Sequence, residues 1–80
     1  MEKNAVTTRE RETLALLSRG LKFKEIASEM GITLRTVVAH VESVKKKLGA
    51  RNAVHLISLA YKEGLLNGSL TYQQPPTRAK

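Results

Sequence analysis

Apolar residues recur along most of the chain at the three- and four-residue spacing of helices that bury one face. The clearest stripe consists of Val37, Val41, Val44 and Leu48, which follow one another at i, i+4, i+7 and i+11. No segment alternates apolar and polar residues as a half-buried strand does. The pattern therefore predicts an all-α protein.

Capping residues and glycines divide this pattern into four helices. Thr7 and Glu10 have the spacing of a capping box at the start of the first helix. Thr33 and Asn52 are suitable N-caps for the third and fourth helices. The second helix is expected over residues 23–30, and the fourth runs to about Glu63. Glycines mark the four ends: Gly20, Gly31, Gly49 and Gly64.

The second and third helices are separated only by Gly31, Ile32 and Thr33. A short turn built around glycine between two helices is typical of a helix-turn-helix, although a generic helical hairpin has several of the same features. We predict a four-helix bundle without a wing over residues 1–66, with the helix-turn-helix over about 23–48. Residues 67–80 lose the apolar periodicity and are rich in turn-forming residues, which predicts a flexible C-terminal tail.

The excess of basic over acidic residues indicates which kinds of partner the protein can bind. Fourteen Lys and Arg against seven Asp and Glu leave a net charge of +7 on 80 residues. Between Arg35 and Arg51, five basic residues accompany one acid, a local net charge of +4. Such an excess favours nucleic acid, anionic lipid or an acidic protein as partner, and a merely solubilising surface is the alternative.

Several classes of site have no support in the sequence. The chain has no cysteine, so disulfides and thiolate metal sites are excluded. No metal or other cofactor is expected. The sequence has no nucleophile–base pair and no phosphate-cradling glycine loop, so the chain is not expected to be an enzyme. Glu10 and Glu12 are better explained as helix-start acids than as an acid–base pair. Because no signal peptide or membrane-length apolar run is visible, a cytoplasmic protein without a membrane partner is expected.

The third helix carries the candidate chemistry. If Val37 faces the core, the helical period directs an outer ridge of side chains away from it, which can meet base edges in a major groove. The residues predicted to read bases are Arg35, Val38, Ala39 and Glu42. An ordinary solvated face is the alternative, but it has little need of Val38 and Ala39. The residues predicted to contact phosphates are Lys24, Thr33, Thr36, His40, Ser43, Lys45, Lys46, Lys47 and Arg51.

Two of these assignments have alternatives. His40 is either a phosphate contact or a half-buried histidine that is hydrogen-bonded to a neighbouring element. The run of three lysines at 45–47 either binds phosphates or only increases solubility. Its position at the end of the candidate reading helix favours phosphates.

Four short stretches in uninterrupted order resemble the LuxR/GerE family of transcription regulators. They are residues 6–12 (VTTRERE), Gly20 and Leu21 with residues 24–27 (KEIA), Thr36 and Val37 with His40, and residues 47–49 (KLG) with Asn52. The resemblance runs from Val6 to about Leu66. It implies a bacterial transcription regulator that binds double-stranded DNA through its third helix and dimerises through its fourth.

The chain departs from the family pattern in three places, the first of them a pair of residues. Lys22 and Phe23 stand where small polar residues usually open the second helix, and Ala53 replaces a common arginine. Glu42 points outward where a basic or neutral residue is common, and an acid facing DNA either accepts from cytosine N4 or repels phosphate. The sequence preference of the family therefore does not transfer directly.

The fourth helix is expected to face the core through Ile57, together with Ala53, Val54, Ala60 and Tyr61. Its other face is predicted to carry His55, Leu56, Leu59, Lys62 and Leu66. The resemblance implies that this face forms a homodimer. Because a helix of about three turns offers only a small contact, pairing is expected mainly on DNA. Isolated exposed leucines are common in proteins and are the alternative explanation.

The further partners expected are RNA polymerase or another regulator, with the protein associated with the bacterial nucleoid. The Met1 start and the tail favour a stand-alone, GerE-like regulator over the excised domain of a larger sensor. The rival interpretation is a basic helical module that binds an acidic protein.

Overall fold

The computed structural model describes residues 5–66, which form four α-helices and, within that range, no strand. Helix α1 spans Thr8–Ser18, α2 spans Phe23–Met30, α3 spans Leu34–Leu48 and α4 spans Ala53–Lys62. The predicted all-α, four-helix helix-turn-helix fold is confirmed. The predicted tail at 67–80 and the first four residues of the predicted domain lie outside the described residues.

The predicted N-caps of α1, α3 and α4 form through side-chain oxygens. The Glu10 N–H donates to Thr7 Oγ1 at 3.1 Å, and the Thr7 N–H donates to Glu10 Oε1 at 3.0 Å. Thr33 Oγ1 accepts from the Thr36 N–H at 3.1 Å, and Asn52 Oδ1 accepts from the His55 N–H at 2.8 Å. These bonds satisfy backbone donors that the first helical turn leaves without partners.

Helix α2 begins without such a cap, as the departure at Lys22 and Phe23 suggested. The Lys22 side chain makes no cap hydrogen bond. The Lys22 N–H instead donates to Glu25 Oε1 at 2.7 Å. The far end of the same helix is covered from α1, because Arg9 Nη2 donates to the Met30 carbonyl oxygen at 3.3 Å.

Gly31 makes the turn of the helix-turn-helix. Its φ of +67° lies in the left-handed region, which costs a residue with a Cβ atom energy that glycine avoids. The Ile32 N–H then donates to the Ala27 carbonyl oxygen at 3.0 Å, so the chain reverses within one turn. Ile32 packs against the core, which anchors the turn between α2 and α3.

All four helices contribute to one core, and α3 contacts each of the other three helices. The α3 stripe is buried as predicted at Val37, Val41 and Val44, with Leu48 half-buried at its end. The fully or almost fully buried apolar residues from the rest of the chain are Leu14, Ile26, Ala27, Leu56, Ala60 and Leu66.

The predicted orientation of α4 is wrong by about one residue, or roughly 100° of rotation about the helix axis. Leu56 is 0% exposed and Ile57 is only half-buried. Val54 and Tyr61, which were expected to face the core, are 82% and 43% exposed. The sequence permits both orientations because apolar residues cover more than half of the circumference of this helix, and only His55, Ser58 and Lys62 form a polar strip. The choice therefore depends on which part of the apolar arc meets α1 and α3.

Leu66 also lies in the core, 1% exposed, and not on an outer face of α4. The helix ends at Lys62, and Gly64 follows with a φ of +79°. The Leu65 N–H donates to the Ala60 carbonyl oxygen at 2.9 Å, the bond of a Schellman turn. The prediction for Leu66 is wrong because it assumes that the helical period continues to residue 66. The turn after Lys62 ends the helix and brings Leu66 back onto the core.

Candidate nucleic-acid interface

The outward face of α3 carries both polar and apolar exposed side chains. The four residues predicted to read bases, Arg35, Val38, Ala39 and Glu42, are all exposed on it. The opposite side of the same helix is buried against the other three helices. A rigid core thus presents this row of side chains at defined positions.

The first turn of α3 adds an apolar residue that the sequence analysis missed. Leu34 is 45% exposed and Val38, one turn later, is 39% exposed. Leu34 lies nearer the core side of the helical wheel, but it is the first residue of the helix and extends beyond the packed region. Beside it, the Thr33 and Thr36 hydroxyls lie 2.9 Å apart, so both predicted phosphate contacts are part of the N-cap.

The end of α3 is joined to α1 by a charged contact that sequence analysis also missed. Lys47 Nζ lies 2.7 Å from Glu10 Oε1, and Ser43 Oγ donates to Glu10 Oε2 at 2.7 Å. Both side chains were predicted to contact phosphates, but in the structure both are bonded to Glu10 of the same molecule. No local pattern indicates this contact, because 33 and 37 residues separate the partners along the chain.

Burial by itself would raise the pKa of Glu10. Hydrogen bonds from Lys47, Ser43 and the Thr7 N–H, with the positive charge of Lys47, outweigh burial and hold the pKa below its ordinary value. Glu10 is therefore ionised at neutral pH. The capping role predicted for it is confirmed, and the contact with α3 is additional.

The other basic side chains on and after α3 differ in whether they form ion pairs within the protein. Lys45 Nζ lies 3.3 Å from Glu42 Oε2, in an exposed pair along the same helix. Within residues 5–66, Arg35, Lys46 and Arg51 form no ion pair. Lys46 and Arg51 are exposed at the end of α3 and in the loop after it, where phosphate contacts were predicted.

Lys24 and His40 complete the predicted phosphate set. Lys24 is exposed in the first turn of α2. His40 is half-buried, and its imidazole makes no hydrogen bond to any residue in the range 5–66. The structure thus places Lys24 at the surface and leaves the imidazole of His40 without a protein partner in that range.

The predicted dimer residues are divided between surface and core. Leu56 and Leu66 are buried, so they are not available on the surface of the monomer. Leu59 is half-buried, and Lys62 is exposed. His55 lies in the first turn of α4, where its Nδ1 accepts from the N–H of Arg51 in the preceding loop at 3.0 Å. The exposed side of α4 instead carries Val54, Ser58, Tyr61 and Lys62.

Among residues 5–66, no three His, Cys, Asp or Glu side chains are grouped so that they could hold a metal ion. None of the helices found there is long and apolar enough to cross a membrane.

Known proteins show the same domain. Residues 4–60 match the GerE family model, described as bacterial regulatory proteins, luxR family. The transcriptional activator protein EchR of Dickeya chrysanthemi is 43% identical over 65 residues, which are 81% of this chain and 26% of that protein. The transcriptional regulatory protein YdfI of Bacillus subtilis is 33% identical over 67 residues, 81% of this chain and 32% of that protein.

The crystal structure of the phage VqmA–DPO complex has the same fold, with a TM-score of 0.74 and 32% identity. The match covers 90% of this chain and 34% of that one. The chain thus spans about a quarter to a third of the length of the proteins it matches. With a family model that covers most of its length and relatives that are named as transcription regulators, the chain belongs to the luxR family of bacterial regulatory proteins.

Proposed function

We propose that this protein is a sequence-specific regulator of bacterial transcription that binds double-stranded DNA by inserting α3 into the major groove. The observation that carries the proposal is the exposed row on α3, held by a helix that is buried on its other side. A major groove about 12 Å wide admits one helix, so a protruding helix with reading side chains fits it.

The exposed row has the chemistry of base recognition. Arg35 is unpaired within residues 5–66 and has the fork of donors that matches guanine O6 and N7. Val38 and Ala39 are suited to a thymine methyl group, and Leu34 enlarges that apolar contact. Glu42 would accept a hydrogen bond from cytosine N4 if its exposed pair with Lys45 opens. These contacts would supply the specificity.

Phosphate contacts would surround this row. Lys46 is exposed in the last turn of α3, Arg51 is exposed in the loop after it, and Lys24 is exposed at the start of α2. Contacts of this kind orient a protein on DNA and supply the salt-dependent part of its affinity.

Selection of bound DNA from a random pool, followed by titration of the selected site, tests the proposal. Arg35→Ala should relax the preference at one base pair, with a loss of about 1–3 kcal/mol against the selected base. Arg51→Ala is the matched control, since it removes the same charge and should weaken binding to all DNA sequences about equally. Selection without enrichment, or binding that does not weaken as salt rises, would refute the proposal and favour an acidic protein partner.

We also propose that two copies pair through the exposed side of α4 when they bind DNA. Val54, Ser58 and Tyr61 form an uncharged strip there. Copies of a chain with a charge of +7 repel each other, so close approach is favoured where the surface is uncharged. A two-fold pair would place two copies of α3 on inverted half-sites about one helical turn apart. The strip is short, so pairing would occur mainly on DNA.

A surface charge in this strip tests the pairing. Val54→Glu or Tyr61→Glu should abolish cooperative occupancy of two half-sites while binding to a single half-site persists. Ser28→Glu adds the same charge on the exposed side of α2 and should retain cooperativity. Leu59 is a poor probe, because it is half-buried and a charge there would damage the fold. Cooperative loading by both α4 variants would place the dimer surface elsewhere.

A regulator of this kind would act on the nucleoid in the bacterial cytoplasm, and would change transcription through RNA polymerase or another regulator. The relatives named as a transcriptional activator and a transcriptional regulatory protein support the role in transcription.

A further inference from the structure

The contact between α1 and α3 concentrates three donors on one buried carboxylate. Glu10 is 5% exposed. Its Oε1 accepts from the Thr7 N–H at 3.0 Å and from Lys47 Nζ at 2.7 Å, and its Oε2 accepts from Ser43 Oγ at 2.7 Å. Lys47 is thereby held by the only buried acid among residues 5–66.

Lys47 lies beside the candidate reading face. It lines a shallow depression together with Ala39, Glu42, Ser43 and Lys46. Two of these residues, Ala39 and Glu42, belong to the row predicted to read bases. From this position a lysine side chain, four methylene groups long, would ordinarily extend to a neighbouring phosphate. Its ammonium group instead points back to Glu10.

The neighbouring Lys46 provides the contrast. Lys46 is exposed and forms no ion pair within residues 5–66, whereas Lys47 is half-buried with its ammonium on Glu10. Adjacent lysines on one helix therefore differ in whether their ammonium group is paired within the protein. Only a cation that replaces a condensed counterion contributes to the salt dependence of binding.

We infer that Glu10 is an internal counterion that withholds Lys47 from the phosphate backbone. It thereby positions the end of α3 and limits the sequence-independent part of DNA affinity. This inference rests on the proposed function. Although Glu10 lies outside the reading helix, it would then help to set the ratio between specific and non-specific DNA binding.

The decisive variant is Glu10→Gln, which removes the charge and retains an oxygen for the Thr7 N–H, since glutamine also serves in a capping box. Affinity for DNA without the selected site is measured over a range of salt concentrations. Release of Lys47 should steepen the plot of log K against log salt by about 0.9 and strengthen binding at low salt. Glu12→Gln is the matched control. It makes the same charge change in the exposed pair with Arg9, 2.9 Å across, and should leave the slope unchanged.

A second variant separates this role from simple stabilisation of the fold. In Glu10→Gln/Lys47→Met the slope should return to that of the unaltered protein, because the released cation is gone. Lys47→Met alone should leave the slope unchanged, whereas Lys46→Met should flatten it by about 0.9. Circular dichroism confirms that each variant is folded, and the two single lysine variants still decide the question if Glu10→Gln does not fold.

The outcomes distinguish this inference from the proposed function. An unchanged slope in folded Glu10→Gln, or a slope flattened equally by Lys47→Met and Lys46→Met, would overturn the inference and leave DNA binding intact. Absence of salt-dependent DNA binding in the unaltered protein would overturn both.

Discussion

Replacement of Leu56 by alanine tests the orientation of α4, on which the position of the proposed dimer strip depends. Leu56 is 0% exposed and belongs to the core cluster. Removal of a fully buried leucine side chain costs about 3–5 kcal/mol, which combines lost burial with the cavity left behind. A single domain of this size has a total stability towards the lower end of the range of about 5–15 kcal/mol. Leu56→Ala should therefore be close to unfolding at room temperature.

Val54→Ala is the matched control, because it lies two residues away on the same helix and is 82% exposed. Its effect should stay within about 0.5 kcal/mol, as for surface substitutions in general. Urea unfolding followed by far-ultraviolet circular dichroism measures both variants. In a thermal scan, Leu56→Ala should melt at least about 12 °C lower than the unaltered protein, since 1 kcal/mol corresponds to about 4–8 °C in a domain of this size.

The orientation derived from Ile57 makes the opposite prediction, because it places Val54 towards the core and Leu56 outside. A loss of more than about 2 kcal/mol in Val54→Ala with a loss below about 1 kcal/mol in Leu56→Ala would refute the orientation described here. The proposed dimer strip would fall with it.

The remaining predictions concern a carboxylate, a turn, a cap and a reading position. Because the pKa of Glu10 is lower in the folded chain, its contribution to stability is present above the ordinary glutamate pKa and is lost as pH falls through the folded value. Stability of Glu10→Gln should thus fall less on acidification, and equal acid-side losses would contradict this. Gly31→Ala should cost about 1–2 kcal/mol in urea unfolding from its φ of +67° alone, because an added Cβ meets no atom within 4 Å. Thr33→Ala should cost about 1 kcal/mol and Thr33→Ser much less, and an equal loss in both would exclude the hydroxyl cap. Glu42→Ala should relax preference at one base pair if Glu42 accepts from cytosine, or raise affinity for all DNA if it repels phosphate; no change in either titration would remove Glu42 from the interface.

The sequence by itself determined the helices, the turn between α2 and α3 and the outward row on α3. These features depend on interactions between residues a few positions apart. The Thr7–Glu10 capping box, the cap at Thr33 and the left-handed turn at Gly31 are all local, and α3 has a single apolar stripe that leaves one orientation. Arg35, Val38, Ala39 and Glu42 were therefore placed at the surface correctly.

Only the tertiary structure decided which face of α4 is buried and which lysines are free. The apolar residues of α4 cover more than half of its circumference, so contact with α1 and α3 selects Leu56 over Ile57. The turn at Gly64 brings Leu66 into the core. Nothing in the sequence distinguishes the neighbouring lysines Lys46 and Lys47. Only Lys47 is paired, because the fold places Glu10 beside it. An ion pair between residues 37 positions apart depends on how two helices pack against each other. The periodic pattern within either helix does not predict that packing.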